Sequence, residues 1–258
     1  MKSKVMKNVL GSFLFALSII VTAGGVQAGP GPIKNIVLVH GAFVDGSGWQ
    51  PVYTILVKAG YNVSILQQPL TSLEDDAAAA KRILDRQDGP CILVGHSYGG
   101  SIITEAGNHP HVLALVYIAA HALDVGETQA ANGKRFPNSI KPLVKTPDGY
   151  VFLDPANFPE DFAADLPREQ ANFMAHAQMP TAAKVFTTPI PDPAWKKKPS
   201  WYMVAKADKT INPDLQRMYA KRANSHTVEV EGASHAVYVS HPKEVAALIE
   251  QAARNASP

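Results

Sequence analysis

The sequence predicts an α/β fold built on a doubly wound, mostly parallel sheet, with one long insertion breaking the alternation. Three observations predict it. Short apolar runs alternate with helix-like segments at both ends of the chain. The pentapeptide Gly95-His96-Ser97-Tyr98-Gly99 sits between an apolar run and the start of a helix. The alternation stops over residues 121–199 and then resumes.

Residues 36–40 are an apolar run stopped by Gly41, which suits a parallel strand buried on both faces. Helical spacing follows over 49–59, with Gly60 as its stop, and 62–66 read as a second strand. Residues 74–86 carry an alanine run behind an acidic first turn and predict a helix. The strand over 91–95 feeds the pentapeptide, a helix starts at Gly100, and 112–119 form the next strand.

The insertion holds eleven prolines and only short amphipathic pieces, at 161–166 and 167–179. A connection of that length is usually a functional lid or disordered. Phe158, Phe162, Leu166, Phe173, Met174 and Met179 argue for a packed, helical cap over the C-terminal edge of the sheet, inserted before the penultimate strand. Beyond it come a strand at 201–206, a helix at 213–222 with Asn212 as N-cap and Pro213 in first position, a last strand at 226–230 and a closing helix at 242–254. The expected organisation is a core over 29–120 and 200–258, with the cap over 121–199.

Residues 1–28 have the layout of a secretory signal peptide. Lys2, Lys4 and Lys7 make a basic start, 9–21 are mostly apolar, and Val26-Gln27-Ala28 offers a small-residue cleavage site. The apolar stretch is shorter than the roughly 20 residues a spanning helix needs. Cleavage after Ala28 and a periplasmic or secreted location are therefore expected. Losing three lysines takes the formal +2 to about −1. Lys196-Lys197-Lys198 is the only basic run and has no aromatic interleaving, so neither nucleic acid nor a membrane surface is an expected partner. Cys91 is the single cysteine, which excludes an internal disulfide. With no Cys/His cluster at ligand spacing and no glycine-rich phosphate loop, no metal or cofactor is expected.

The pentapeptide fits the Gly-x-Ser-x-Gly nucleophile elbow, in which a sharp strand-to-helix turn pushes the serine hydroxyl out of the sheet. A serine hydroxyl is a weak nucleophile at neutral pH. It needs a base, and the base needs a group to fix its tautomer. Asp208 follows the strand at 201–206 and His235 follows the last strand, so Ser97, Asp208 and His235 are the candidate catalytic residues. His121, at the end of the strand beside the elbow, is the rival base or a substrate contact. Asp124 and Asp214 are rival acids. The oxyanion donors are expected to be the amides of Tyr98 and Ala42. His40 is expected to brace the first loop, and His96 to point away from the nucleophile.

From about residue 33 to 254 the chain resembles the α/β-hydrolase superfamily, in the branch of plant methylesterases, hydroxynitrile lyases and bacterial pyrethroid-hydrolase-like esterases. The matching motifs are Val39-His40-Gly41-Ala42 with Trp49, the elbow with Gly100, Tyr117-Ile118-Ala119-Ala120, and Gly232-Ala233-Ser234-His235. The resemblance implies the same triad and the Ala42 donor. Hydroxynitrile lyases carry a threonine where this chain has Gly41 and a lysine where it has Ala236. Their absence favours an esterase, with Gly41 leaving room for the acyl group.

The expected function is a secreted, cofactor-free carboxylic-ester hydrolase. Its expected partner is a small-molecule ester, with Phe43, His121 and Met174 as substrate contacts suggesting an apolar acyl or alcohol group. The alternatives are cyanohydrin or C–C cleavage, amide hydrolysis, or a non-catalytic ligand receptor on the same scaffold.

Overall fold

The computed structural model describes Met1 and residues 33–256. The expected signal peptide and its cleavage site therefore lie outside the described residues. Strand β1 (Asn35–Val39) leads through a 3-10 turn into α1 (Gln50–Lys58), followed by β2 (Asn62–Ile65) and α2 (Leu73–Leu84). Ser72 caps α2, its Oγ accepting from the Asp75 amide at 3.0 Å. Next come β3 (Cys91–His96), α3 (Gly99–Ala106) and β4 (Val112–Ile118). The insertion contains α4 (Gln129–Arg135), β5 (Val144–Lys145), β6 (Tyr150–Phe152), α5 (Phe158–Asp161), α6 (Arg168–His176) and β7 (Thr181–Ala182). The alternation then resumes with β8 (Ser200–Ala205), α7 (Pro213–Arg222), β9 (His226–Val230), a short α8 (Val237–Ser240) and α9 (Pro242–Asn255).

The main sheet has the order β2-β1-β3-β4-β8-β9, and every pairing in it is parallel. Alternate residues on each central strand enter two separate apolar clusters. Val37, Leu93, Tyr117 and Tyr202 face α2, α3 and α7. Ile36, Val94, Val116 and Met203 face α1 and α9. The central strands read as continuous apolar runs because both faces are covered. The outermost strands β2 and β9 are more exposed.

The cap differs from the purely helical one the sequence suggested. Strands β5, β6 and β7 form a separate antiparallel sheet. With two, three and two residues, they are too short to leave a period-two pattern. Val151, Leu153, Phe158, Phe162, Ala171 and Ala175 of the cap belong to the same buried cluster as Leu93 and Tyr117. Phe173 does not join them and is 70% exposed.

Candidate active site

Ser97, Ala42, His121, Asp208 and His235 all follow the C-terminal ends of strands in the main sheet, where ligand sites of open parallel sheets lie. Between β3 and α3 only Ser97 and Tyr98 make the turn. Ser97 sits at φ +54°, a left-handed conformation that costs a non-glycine residue about 1–2 kcal/mol. Its carbonyl is held by the amides of Gly100 (3.0 Å) and His121 (3.1 Å). The turn closes because position 99 is glycine: a Cβ there would lie 2.6 Å from the His40 carbonyl oxygen and 2.7 Å from that of Val39.

The three residues singled out from sequence meet. His235 Nε2 is 2.8 Å from Ser97 Oγ, and His235 Nδ1 is 2.7 Å from Asp208 Oδ2. The His235 and Asp208 side chains have no solvent exposure. Asp208 also accepts from the amides of Thr210 (2.8 Å) and Ile211 (2.9 Å) and from Gln216 Nε2 (2.7 Å). A carboxylate so surrounded by donors acts as an acceptor toward His235. The imidazole proton then sits on Nδ1, leaving Nε2 to take the proton of Ser97.

The rivals are otherwise engaged. Asp124 pairs with Lys196, and Asp214 pairs with Arg217 at 2.8 Å. His121 Nδ1 faces the Tyr219 hydroxyl at 3.3 Å.

Among the described residues, neither the Ala42 nor the Tyr98 amide donates to a protein acceptor, so both remain free to receive an oxyanion. His40 Nδ1 donates to the Gly41 carbonyl at 2.8 Å, and Gln68 Nε2 donates to the His40 carbonyl at 2.6 Å. Burial lowers the His40 imidazole to about 4, only partly offset by its bond to Gly41. It is a neutral brace.

A cavity of about 410 Å³ opens onto Ser97. Ala42, Phe43 and His121 line it together with cap residues, among them Phe136, Ile140, Leu143 and Phe186. One expectation is corrected here. Met174 does not line this cavity. It packs against both apolar clusters and borders a separate small hollow with Val44, Gly48 and Tyr238, because α6 turns Ala171 and Ala175 toward the core. Gly41 is packed onto the elbow. A Cβ there would meet Ser97 Cβ at 2.7 Å and His96 Nδ1 at 3.0 Å, so this glycine lets the first loop lie directly on the elbow.

The sequence profile of the alpha/beta hydrolase family matches residues 36–248. The chain belongs to the alpha/beta hydrolase family. It is 28% identical over 246 residues to the pyrethroid hydrolase of Sphingobium wenxiniae, covering 84% of this chain and 86% of that protein. It is 26% identical over 255 residues to salicylic acid-binding protein 2 of Nicotiana tabacum, covering 84% and 95%. A crystal structure of a pyrethroid hydrolase from Sphingobium faniae is 25% identical and superimposes with a TM-score of 0.71, covering 86% of this chain and 98% of that one. With relatives named hydrolases and esterases, this alpha/beta hydrolase stands with the serine hydrolases of the carboxylesterase kind.

Four further residues hold the site of this hydrolase, and sequence reasoning missed their roles. His96 is fully buried and its Nε2 donates to the His235 carbonyl at 2.9 Å. Its ring lies 4.7 Å from that of His235 and 4.3 Å from that of Tyr238. Burial first, and then the neighbouring His235, hold its imidazole well below 6.5, so it is a neutral donor. Gln216 bridges Asp208, the Ile211 carbonyl and the Ala205 amide. Its signal was a polar side chain on the same helical face as Leu215, Tyr219 and Ala220.

Phe162 reaches in from the cap. Its carbonyl accepts from the Ala236 amide (2.9 Å) and Ser234 Oγ (3.2 Å), while its ring meets His235 edge-on at 4.7 Å. Thr181 Oγ1 accepts from the Phe43 amide at 3.2 Å and so holds the first loop, where Phe43 sits at φ +66°. The cap is thus tied to both the His235 loop and the first loop. These two contacts span 72 and 138 residues of sequence, and nothing local announces them.

Proposed function

We propose that this protein is a secreted serine carboxylic-ester hydrolase that works through an acyl-enzyme on a small to medium, fairly apolar ester. The observation that carries the reading is the unbroken chain from Ser97 Oγ through His235 to Asp208, at 2.8 and 2.7 Å. Ser97 Oγ attacks the acyl carbon while His235 Nε2 takes its proton. The negative oxygen of the tetrahedral intermediate is received by the amides of Ala42 and Tyr98. As the carbonyl reforms, the alkoxy group leaves with the proton from His235. Water enters, gives a proton to His235 and attacks the acyl carbon; Ser97 recovers its proton and the acid departs.

The aromatic and aliphatic lining of the cavity supports an apolar substrate, and its volume matches a compact ligand. The three-part leader supports export and cleavage after Ala28.

A fluorophosphonate should label Ser97 in the wild type and leave Ser97→Ala unlabelled. A series of p-nitrophenyl esters of increasing acyl length should show turnover that falls once the chain outgrows the cavity. Labelling without turnover of any ester would overturn the esterase reading in favour of a different triad reaction or a receptor. Mass spectrometry of the exported protein should find its N-terminus at Gly29.

A further inference from the structure

We propose that His121 is a fixed hydrogen-bond donor to the substrate, selecting esters that carry a second oxygen acceptor close to the scissile carbonyl. The inference rests on the esterase reading above and adds what the substrate must look like.

One line of hydrogen bonds runs from the Arg222–Glu127 pair to the cavity. Arg222 donates to both oxygens of Glu127, at 2.7 and 2.9 Å. Burial alone would raise the Glu127 carboxyl, but Arg222, the Asp124 amide and Asn132 outweigh it and hold it at about 2, so Glu127 is an obligate acceptor. Asn132 therefore turns its amide nitrogen toward Glu127 Oε2, at 3.0 Å, since its oxygen would be repelled there. The same nitrogen lies 3.0 Å from the Tyr219 hydroxyl and donates to it.

Tyr219 is fully buried and its hydroxyl has one proton to give. The acceptor within reach is His121 Nδ1, at 3.3 Å. The opposite arrangement, with Nδ1 donating, would strand the tyrosine proton without a partner among the described residues. His121 is thus held with its proton on Nε2. Burial and the neighbouring His235 keep the ring neutral at pH 7, its imidazole lowered to about 3.

Nε2 has no protein partner among the described residues, yet it is not among the buried, unsatisfied atoms, so it reaches the open space of the cavity. The backbone of His121 is bonded to the Ser97 carbonyl at 3.1 Å, which anchors the residue beside the nucleophile. Gln129, Lys134, Asn138, Thr210 and Asn212 also line the cavity, but most of its wall by area is apolar. An N–H held in one orientation beside Ser97 discriminates by leaving itself unpaired when the substrate offers no acceptor. An ether, carbonyl or hydroxyl oxygen a few bonds from the ester satisfies it. A purely hydrocarbon ester does not.

The test compares methyl phenylacetate with its α-methoxy derivative and with 2-methoxyethyl phenylacetate, which put an acceptor on the acyl or the alcohol side. For each acceptor-bearing ester, kcat/KM is divided by that for methyl phenylacetate, in wild type, His121→Phe and Tyr219→Phe. A general structural loss cancels in this ratio. In His121→Phe the ratio for at least one acceptor position should fall about tenfold. Tyr219→Phe keeps the imidazole but frees its tautomer, so it should lose part of the same preference even if His121→Phe fails to fold. Ratios within about twofold of wild type for both esters in a folded variant would overturn the proposal. The esterase reading fails separately, by loss of all ester turnover in the wild type.

Discussion

Replacing Thr181 by valine removes one oxygen and nearly nothing else. Thr181 is completely buried on β7, and its Oγ1 accepts the Phe43 amide at 3.2 Å. Phe43 is held at φ +66°, which costs a bulky residue about 1–2 kcal/mol. Without the hydroxyl, a buried N–H is left unpaired at a further cost of about 1–3 kcal/mol. Both penalties bear on the loop that carries the Ala42 amide, and both are relieved if that loop swings out. Complete loss of an oxyanion donor typically costs ~100- to 1,000-fold in turnover. A loop that is only partly displaced should cost less, so Thr181→Val is expected to lower kcat about 10- to 100-fold. KM should change by less than about threefold, since the donor matters most once the negative charge forms. Thr181→Ser restores the acceptor and should return most of the activity. Steady-state hydrolysis of p-nitrophenyl butyrate, with a thermal melt to establish folding, measures this. A folded valine variant with kcat within about threefold of wild type would refute the reasoning: the loop would then need no help from the cap.

The other predictions concern the elbow and its supports. Asp76 lies buried, accepting from the Tyr98 hydroxyl at 2.6 Å and the Leu70 amide at 2.8 Å. Burial outweighs those bonds and raises its carboxyl from 3.8 to about 6. A raised acid is more protonated when folded, so its contribution to stability is full below pH 3.8 and is lost as the pH rises through about 6. Urea unfolding at pH 4 and pH 7.5 should find this loss, on the order of 2 kcal/mol, in wild type and not in Asp76→Asn. Gly99→Ala would drive a Cβ against two backbone oxygens that cannot rotate away, and should destabilise by about 2–3 kcal/mol with loss of fluorophosphonate labelling. His96→Phe conserves the ring but drops the donor to the His235 carbonyl, and should lower kcat about tenfold. The pH dependence of kcat should stay unchanged, because His96 is neutral throughout the working range.

The order of strands and helices, the elbow and the three residues that follow strand ends were legible in the chain itself. Those features are written locally. A buried parallel strand must be a run of apolar residues, and a turn as tight as 95–99 requires glycines at set positions. Ser97 and Asp208 could be named because each lies just past such a strand, and His235 because it follows the last, more exposed strand. Met174 shows where this logic stops. It was assigned to the substrate's surroundings from residue type and position, yet the direction a side chain takes depends on what packs behind it. The partners of His235 and Phe43 in the cap, the bridge made by Gln216 and the hydrogen-bond line from Arg222 to His121 all join residues remote in sequence. A hydrogen bond between remote residues has no period and no preferred neighbour, so only the packing of cap against sheet decides which donor meets which acceptor.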